Sequence, residues 1–196
     1  MRVLVLDNGD PCPGNLLEPL QELGADCDVR PAGSLGLKEI RALEPQPRRI
    51  LFTPGSGRPE DTGACWEVVS FLPAGIPVLG VGLGLQIIAK AGQARLVRPG
   101  KAKAGGMARI HHDGKNLFAG LPSPFEAPRD PDLSFIVDPA GLGTQLDISA
   151  RDEHGTVVGC RALFLGLEAI QVDTRWFSTR HGSDMLFNFL YQSQAW

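Results

Sequence analysis

Residues 75–86, Gly75-Ile-Pro-Val-Leu-Gly-Val-Gly-Leu-Gly-Leu-Gln86, decide the fold. The short apolar run Val78 to Val81, bounded by Pro77 and by closely spaced glycines, reads as a buried strand. It passes without a linker into Leu83 to Ala91, which is apolar on almost every side and so predicts a helix lying deep in the domain. A strand that turns straight into a helix forms an elbow. In α/β enzymes a nucleophile sits at such an elbow, where the turn exposes its side chain and the helix N-terminus lowers a thiol pKa or stabilises an oxyanion. The elbow residue here is Gly82. Taken alone, the glycines are as well explained by the backbone of a tight turn, and the Lys-Ser/Thr of a P-loop is missing.

The same alternation continues on both sides of the elbow. Val3 to Leu6, Cys27 to Val29 and Ile50 to Phe52 read as further strands. Leu16, Leu17, Leu20 and Leu23 recur at helical spacing and stop at Gly24, and Leu35 to Leu43 and Cys65 to Phe71 read as two more helices. Strands alternating with helices predict an α/β fold, a twisted and mainly parallel sheet with helices on both faces. After Arg95 the pieces are strand-like, with turns at His112 to Lys115 and Asp152 to Gly155, and predict a small antiparallel addition. His181 to Gln192 reads as a closing amphipathic helix. The reading is one domain over 1–196, without repeats or a long linker.

Composition narrows the function classes. With 196 residues, 43% hydrophobic and 21% charged, the chain can bury roughly 70% of its unfolded surface. A net charge of −3 with no Lys/Arg block leaves no electrostatic footprint for nucleic acid or an anionic membrane. The apolar N-terminal stretch is too short for a signal peptide or a membrane span. Cys12, Cys27, Cys65 and Cys160 fit neither a zinc ribbon nor a C-x-x-C pair, so they read as free thiols of a cytoplasmic protein. No metal or cofactor is implied, and small molecules or proteins are the expected partners.

A second loop, Thr53-Pro-Gly-Ser-Gly-Arg-Pro-Glu-Asp61, follows the third strand at the carboxyl edge, where open α/β sheets bind ligands. Together with the elbow and three more segments it resembles the class I glutamine amidotransferases, specifically the small subunit of anthranilate synthase and aminodeoxychorismate synthase. Asp7-Asn8-Gly9-Asp10 with Asn15-Leu16 resembles the family's Asp-Asn-Tyr-Asp-Ser-Phe-Thr-Tyr-Asn-Leu opening. Thr53 to Gly57 with Pro59 resembles its Ser-Pro-Gly-Pro-Gly-x-Pro oxyanion loop, and Pro77 to Gln86 its Pro-Val-Leu-Gly-Val-Cys-Leu-Gly-His-Gln elbow. Ile110-His-His-Asp-Gly-Lys-Asn-Leu-Phe-Ala-Gly-Leu-Pro122 is close to a segment of the chorismate branch. Ile170-Gln-Val-Asp-Thr-Arg-Trp-Phe-Ser-Thr-Arg-His-Gly182 aligns without gaps on Val-Gln-Phe-His-Pro-Glu-Ser-Ile-Leu-Thr-Glu-His-Gly. The resemblance spans nearly the whole chain and implies a flavodoxin-like sheet.

It also implies where chemistry would sit. In the family a thiolate attacks the glutamine amide, a His shuttles the proton, an acid orients the His, and two backbone N–H groups hold the oxyanion. Carried over, the backbone donors fall near Gly57 and Leu83, in a cleft that Gly55 and Gln86 help to form. The three side-chain positions fall on Gly82, Asp173 and Arg175. Gly82 has no nucleophile, Asp173 is a carboxylate where a base of pKa near 7 is needed, and Arg175 is a cation where the acid belongs. Further departures are Leu85 for His, Ala104-Gly105-Gly106 for His-Gly-Lys, and Arg129-Asp-Pro-Asp-Leu133 for Arg-Tyr-His-Ser-Leu.

Cys12 and Cys65 are the nearest other thiols in sequence, but neither lies at the elbow. His111 and His112 are adjacent and face opposite sides of a strand, His154 sits in a turn, and His181 opens the last helix. Asp173 and Arg175, two apart, point the same way on an extended segment and can pair. That pair is either a salt bridge filling a retired cleft or part of a pocket rebuilt around a carboxylate held by Arg175. The sequence therefore predicts a subunit without glutaminase activity that serves a chorismate-binding synthase subunit as a structural or regulatory partner. The alternatives are a stand-alone protein whose cleft holds a small anionic ligand, and an enzyme with relocated chemistry. The pathway branch, tryptophan or folate or another, is left open.

Overall fold

The computed structural model describes residues 1–71, 75–99, 105–131, 135–143, 145–162 and 165–192. Its strands are β1 (Arg2–Asn8), β2 (Asp26–Pro31), β3 (Arg49–Gly55), β4 (Val78–Val81), β5 (Leu96–Val97), β6 (Met107–His112), β7 (Phe125–Pro128), β8 (Ile136–Val137), β9 (Asp147–Asp152), β10 (Val157–Ala162) and β11 (Leu167–Ile170). Its α-helices are α1 (Gly14–Glu22), α2 (Leu37–Arg41), α3 (Ala64–Phe71), α4 (Leu83–Ala91) and α5 (Arg180–Tyr191). Among the described residues these strands form one sheet, with β2-β1-β3-β4-β11-β10-β9-β6-β7 as its main path. The β2 to β11 half is parallel, and the rest, including the β5 and β8 pairings, is antiparallel.

The burial pattern explains the layering. A strand covered on both faces is apolar at consecutive positions, and Val3, Leu4, Val5 and Leu6 of β1 are all fully buried. Because side chains alternate, Val3 and Val5 join Leu51, Leu79 and Ile170 against Leu16 and Leu20 of α1 and Met185, Leu186 and Phe189 of α5. Leu4 and Leu6 join Ile50, Phe52 and Ala169 on the other face, against Val68 of α3 and Leu85 and Ile88 of α4. Each of these large side chains is worth about 1.5–3 kcal/mol when removed from water. Helix α1 ends as its spacing predicts: Ala25 N–H donates to Leu20 O at 3.0 Å and Gly24 N–H to Gln21 O at 2.9 Å, a Schellman stop.

The elbow places α4 in the interior. From Leu83 to Ala89 every residue of the helix is buried. The close approach depends on glycine: a Cβ on Gly80 would stand 2.5 Å from the backbone C and O of Gly84, so any side chain there displaces α4 from β4. β4 itself lies between β3 and β11, with Ile50 opposite Val78 and Ile170 opposite Val81, so the elbow sits at the centre of the parallel half.

One helix is shorter than its spacing suggests. Leu35 is extended, and α2 begins only at Leu37, where Glu39 Oε2 accepts the Gly36 N–H at 3.0 Å and Glu67 Oε2 accepts the Leu37 N–H at 2.6 Å. Two carboxylates satisfying first-turn donors fix that start, and Pro45 soon afterwards disfavours further helix.

Candidate functional site

The carboxyl ends of β1, β3, β4 and β11 meet at a cleft of about 640 Å³. Its floor and walls include Gly55, Gly57, Leu83 and Gln86, the four backbone and cleft positions named from the sequence. Asp173 and Arg175 line it as well. Gly82 does not itself line it but immediately precedes Leu83, which does; its φ +60° and ψ −111° lie in a backbone region that L side chains rarely adopt.

Each loop is held by identifiable bonds. After β1, Asp7 Oδ1 accepts from Gly9 N and Asp10 N at 3.0 Å, which turns the chain into the cleft. Asn8 ties that turn to β3, its backbone N–H donating to Thr53 Oγ1 at 2.9 Å and its Nδ2 to Thr53 O at 3.0 Å. A Cβ on Gly55 would come within 2.1 Å of Asn8 O, so only glycine permits this contact. On the far wall, Asn15 Nδ2 donates to Thr174 Oγ1 at 3.0 Å and joins the start of α1 to the segment after β11. Trp176 anchors that segment through Nε1 to Glu126 O at 3.0 Å and by stacking on Phe125 at 4.8 Å.

Asp173 and Arg175 do pair, though not as neighbours along a strand. Asp173 is the N-cap of a 3₁₀ turn, Thr174–Ser178, and its Oδ1 accepts the Arg175 N–H at 2.9 Å. The guanidinium then folds back, with Nε 3.0 Å from both carboxylate oxygens and Nη2 2.5 Å from Oδ2. This fork holds the Asp173 carboxyl below the usual carboxylate range, against the opposing effect of burial. A guanidinium spent in this way is a poor anchor for a second carboxylate, which weakens the case for a small anionic ligand held by Arg175.

Two carboxylates and a thiol also line the cleft: Asp10 and Asp130, to which the sequence reading assigns no role, and Cys12, one of its two nearest stand-in thiols. Asp10 is buried, and its Oδ1 accepts the Cys12 N–H at 2.9 Å while its Oδ2 has no hydrogen-bond partner among the described residues. Burial foremost, and then the charge of Asp7, raises its pKa. Asp130 stands beside the elbow: a Cβ on Gly82 would be 3.4 Å from its Oδ2, which also receives Gln171 Nε2 at 3.4 Å. Cys12 is exposed on the rim. The signal for Asp10 was present in the Asp7 to Asp10 motif. That for Asp130 lies in the departure Arg129 to Leu133, but its approach to the elbow depends on a loop crossing from the antiparallel half.

The other candidates lie elsewhere. Cys65 is buried against Asn8 Oδ1 at 3.5 Å, and burial pushes its thiol up to about 12; burial does the same to Cys160. His112 stacks on Phe118 at 4.9 Å, while His111 faces solvent, and His154 and His181 occupy the turn and the first turn of α5. No histidine lines the cleft among the described residues, and no group of three His, Cys, Asp or Glu there is placed to hold a metal. No described helix is long and apolar enough to cross a membrane. Leu85 packs into the core, and Gly105, Gly106, Arg129 and Asp130 are described, whereas Ala104, Asp132 and Leu133 lie outside the described residues.

Comparison with known proteins agrees with this geometry. The glutamine amidotransferase class-I family matches residues 4–193. The aminodeoxychorismate synthase component 2 of Escherichia coli is 33% identical over 190 residues, covering 97% of this chain and all of that one (100%). The anthranilate synthase component 2 of Thermus thermophilus is 36% identical over 191 residues, covering 97% and 92%. Among solved structures, a glutamine amidotransferase from Thermotoga maritima superposes with a TM-score of 0.71 at 16% identity, over 90% of this chain and 80% of that one, a likeness of fold. A family match over nearly the whole length, with full-length relatives a third identical, shows that the chain belongs to the class-I glutamine amidotransferases.

Proposed function

We propose that this chain is an amidotransferase-like subunit that does not hydrolyse glutamine and that serves as a structural or regulatory partner of a chorismate-converting synthase, one that draws on free ammonia. The observation that carries the reading is the elbow. Gly82 brings no side chain to the place where covalent catalysis needs a nucleophile. Backbone donors alone do not replace it: Leu83, in the first turn of α4, and Gly57 still flank the cleft, but an oxyanion forms only after attack. The positions expected to carry the base and its orienter hold Asp173 and Arg175, each engaged by the other. Glutaminase chemistry therefore lacks both its nucleophile and its proton shuttle.

The partner follows from kinship. Relatives with this length and a third of the residues identical are component 2 of anthranilate and aminodeoxychorismate synthases. The segments from Asp10 to Asn15, Thr53 to Asp61 and His111 to Gly114 form the expected contact surface. Mixing the purified protein with the large synthase subunit of the same genome, followed by analytical ultracentrifugation, tests this. A complex at tens of micromolar supports the proposal, and its absence moves the reading to a stand-alone binding protein.

A further inference from the structure

The rim of the cleft carries a thiol that the proposed function does not use. Cys12 is exposed and lines the cleft, whereas Cys65 and Cys160 are buried, Cys27 is half-buried, and none of these three lines it. Pro11 and Pro13 flank Cys12 and restrict the backbone on either side, so the thiol is presented from a stiff turn. Asp10 Oδ1 accepts the Cys12 N–H at 2.9 Å and Cys12 O accepts the Asn15 N–H at 3.1 Å, which seats the residue just ahead of the first turn of α1. That turn carries no acidic side chain. The Arg175 pKa is raised by Asp173 foremost and also by the charge of a Cys12 thiolate, so the guanidinium and the sulfur lie within electrostatic reach. A helix N-terminus and a nearby cation are the surroundings in which a thiolate forms and reacts.

Two buried acceptors in the same cleft point to what that thiol would carry. Asp10 is 8% exposed and Gln86 4% exposed, both line the cleft with Cys12, and Asp10 Oδ2 and Gln86 Oε1 have no hydrogen-bond partner among the described residues. A buried acceptor is costly without a donor. Cys12 itself cannot supply one of any strength, since its N–H is bonded to Asp10 Oδ1 and S–H is a weak donor. A donor tethered to the Cys12 sulfur would be held in the cleft at high effective concentration. Apolar surface from Pro11, Pro54, Leu83 and Val172 suits a short carbon chain between that sulfur and the donor.

We infer that Cys12 is a thiol-exchange site: it forms a mixed disulfide with a small disulfide, R–S–S–R, whose retained half is short and ends in a hydroxyl or N–H donor that Asp10 Oδ2 and Gln86 Oε1 accept. The Cys12 thiolate, its proton lost to solvent, attacks one sulfur of R–S–S–R. An electron pair of Cys12 Sγ makes the new Sγ–S bond, and the pair of the broken S–S bond leaves with R–S⁻, which takes a proton from solvent. Cys12 is oxidised and the departing sulfur reduced, so the small disulfide is the oxidant. The inference goes beyond the proposed function and holds whether or not glutamine is hydrolysed.

The test is equilibration of the intact protein, without synthase or glutamine, with hydroxyethyl disulfide or with diethyl disulfide, each poised against its own thiol and read by intact mass and peptide mapping. A single adduct on Cys12 is expected, absent in Cys12→Ser. The hydroxyl-bearing half should be favoured over the ethyl half several-fold, relative to the same ratio for Cys12 in the chain unfolded in guanidinium chloride. Comparing two reagents on one thiol cancels the thiol's own acidity and exposure, so the ratio reads the buried acceptors. Asp10→Asn and Gln86→Leu each remove one acceptor and should bring the ratio toward that of the unfolded chain. If Asp10→Asn fails to melt cooperatively, Gln86→Leu carries the comparison alone. The inference is overturned by an adduct that forms first at another cysteine, or by no adduct on Cys12 under conditions that modify the unfolded chain. It is equally overturned by the same ratio in folded and unfolded protein, or by a ratio unchanged in the folded variants.

Discussion

Gly82 and Asp130 face one another across the elbow: a methyl group built on Gly82 would come 3.4 Å from Asp130 Oδ2 and 3.1 Å from Pro54 Cβ. The space that a nucleophilic side chain would enter is thus bounded by a carboxylate and a rigid ring. An anionic wall also disfavours the thiolate form of any cysteine placed there.

Gly82→Cys is accordingly expected to lower stability by about 1–3 kcal/mol, since φ +60° with ψ −111° strains any L residue. It is also expected to give no glutamine turnover, because no imidazole lines the cleft among the described residues and the carboxylate beside the elbow is too weak a base to serve a thiol. Thermal melting and an ammonia assay check both. A raised melting temperature, or turnover without Asp173→His, contradicts the argument.

The Asp173 cap gives a prediction with a pH sign. Asp173→Ala removes both the N-cap and the ion pair, and should cost about 1 kcal/mol, most of it from the cap. Arg175→Ala should cost far less, since the Arg175 side chain is 74% exposed and its pairing is screened. The folded pKa of Asp173 is depressed below 3.8, so its contribution is present above that value and is lost as pH falls through the folded pKa. Denaturant melts in a series falling from pH 7 should therefore show the Asp173→Ala deficit in full at neutral pH and shrinking as pH falls below the ordinary carboxylate range.

Glu168 titrates in the opposite sense. It lies buried on β11 with Arg161 Nη2 3.7 Å away, too far for a hydrogen bond, while the same guanidinium bonds Asp113. Burial pushes the Glu168 carboxyl up to about 7 from 4.5, with Arg161 opposing. The folded state thus holds this proton more tightly than the unfolded chain. Stability from this group is full below pH 4.5, declines as pH rises, and is gone above about 7, a change of about 3 kcal/mol at most. Glu168→Gln should flatten this limb and stabilise the protein at pH 8 by about 1–3 kcal/mol. An unchanged pH profile of denaturant midpoints would count against it.

For the synthase partner, the loop after β3 offers a direct probe. Arg58 is exposed there, beside the cleft, and Lys38 is exposed on α2. Arg58→Glu should weaken the complex several-fold through the association rate, and Lys38→Glu should leave it unchanged. Stopped-flow association at two salt concentrations distinguishes them; equal effects would place the interface elsewhere.

The parts legible in the sequence are those governed by local patterning. Val78 to Ala91 announces itself because a strand buried on both faces and an interior helix are both continuously apolar, with glycines where their backbones touch. Gly24 marks the end of α1 for an equally local reason. Leu35 to Leu43 misled because spacing alone does not show that Glu39 and Glu67 cap the chain at Leu37. In the cleft, the motif positions come together because each follows a parallel strand at the same edge. The orphaned Oδ2 of Asp10 and the approach of Asp130 to Gly82 depend on loops packed from distant parts of the chain, and no periodicity encodes them. The fold-back of Arg175 on Asp173 was anticipated as a pair, but its origin in a capped 3₁₀ turn was not.

The most direct test is ammonia release from glutamine by the purified protein, with and without the large synthase subunit, against a heat-killed control. The account predicts release no greater than the control in both cases, and synthase activity that depends on added ammonium. Glutamine-dependent release well above the control, abolished by a substitution at a cleft residue such as Cys12 or Asp173, would contradict it.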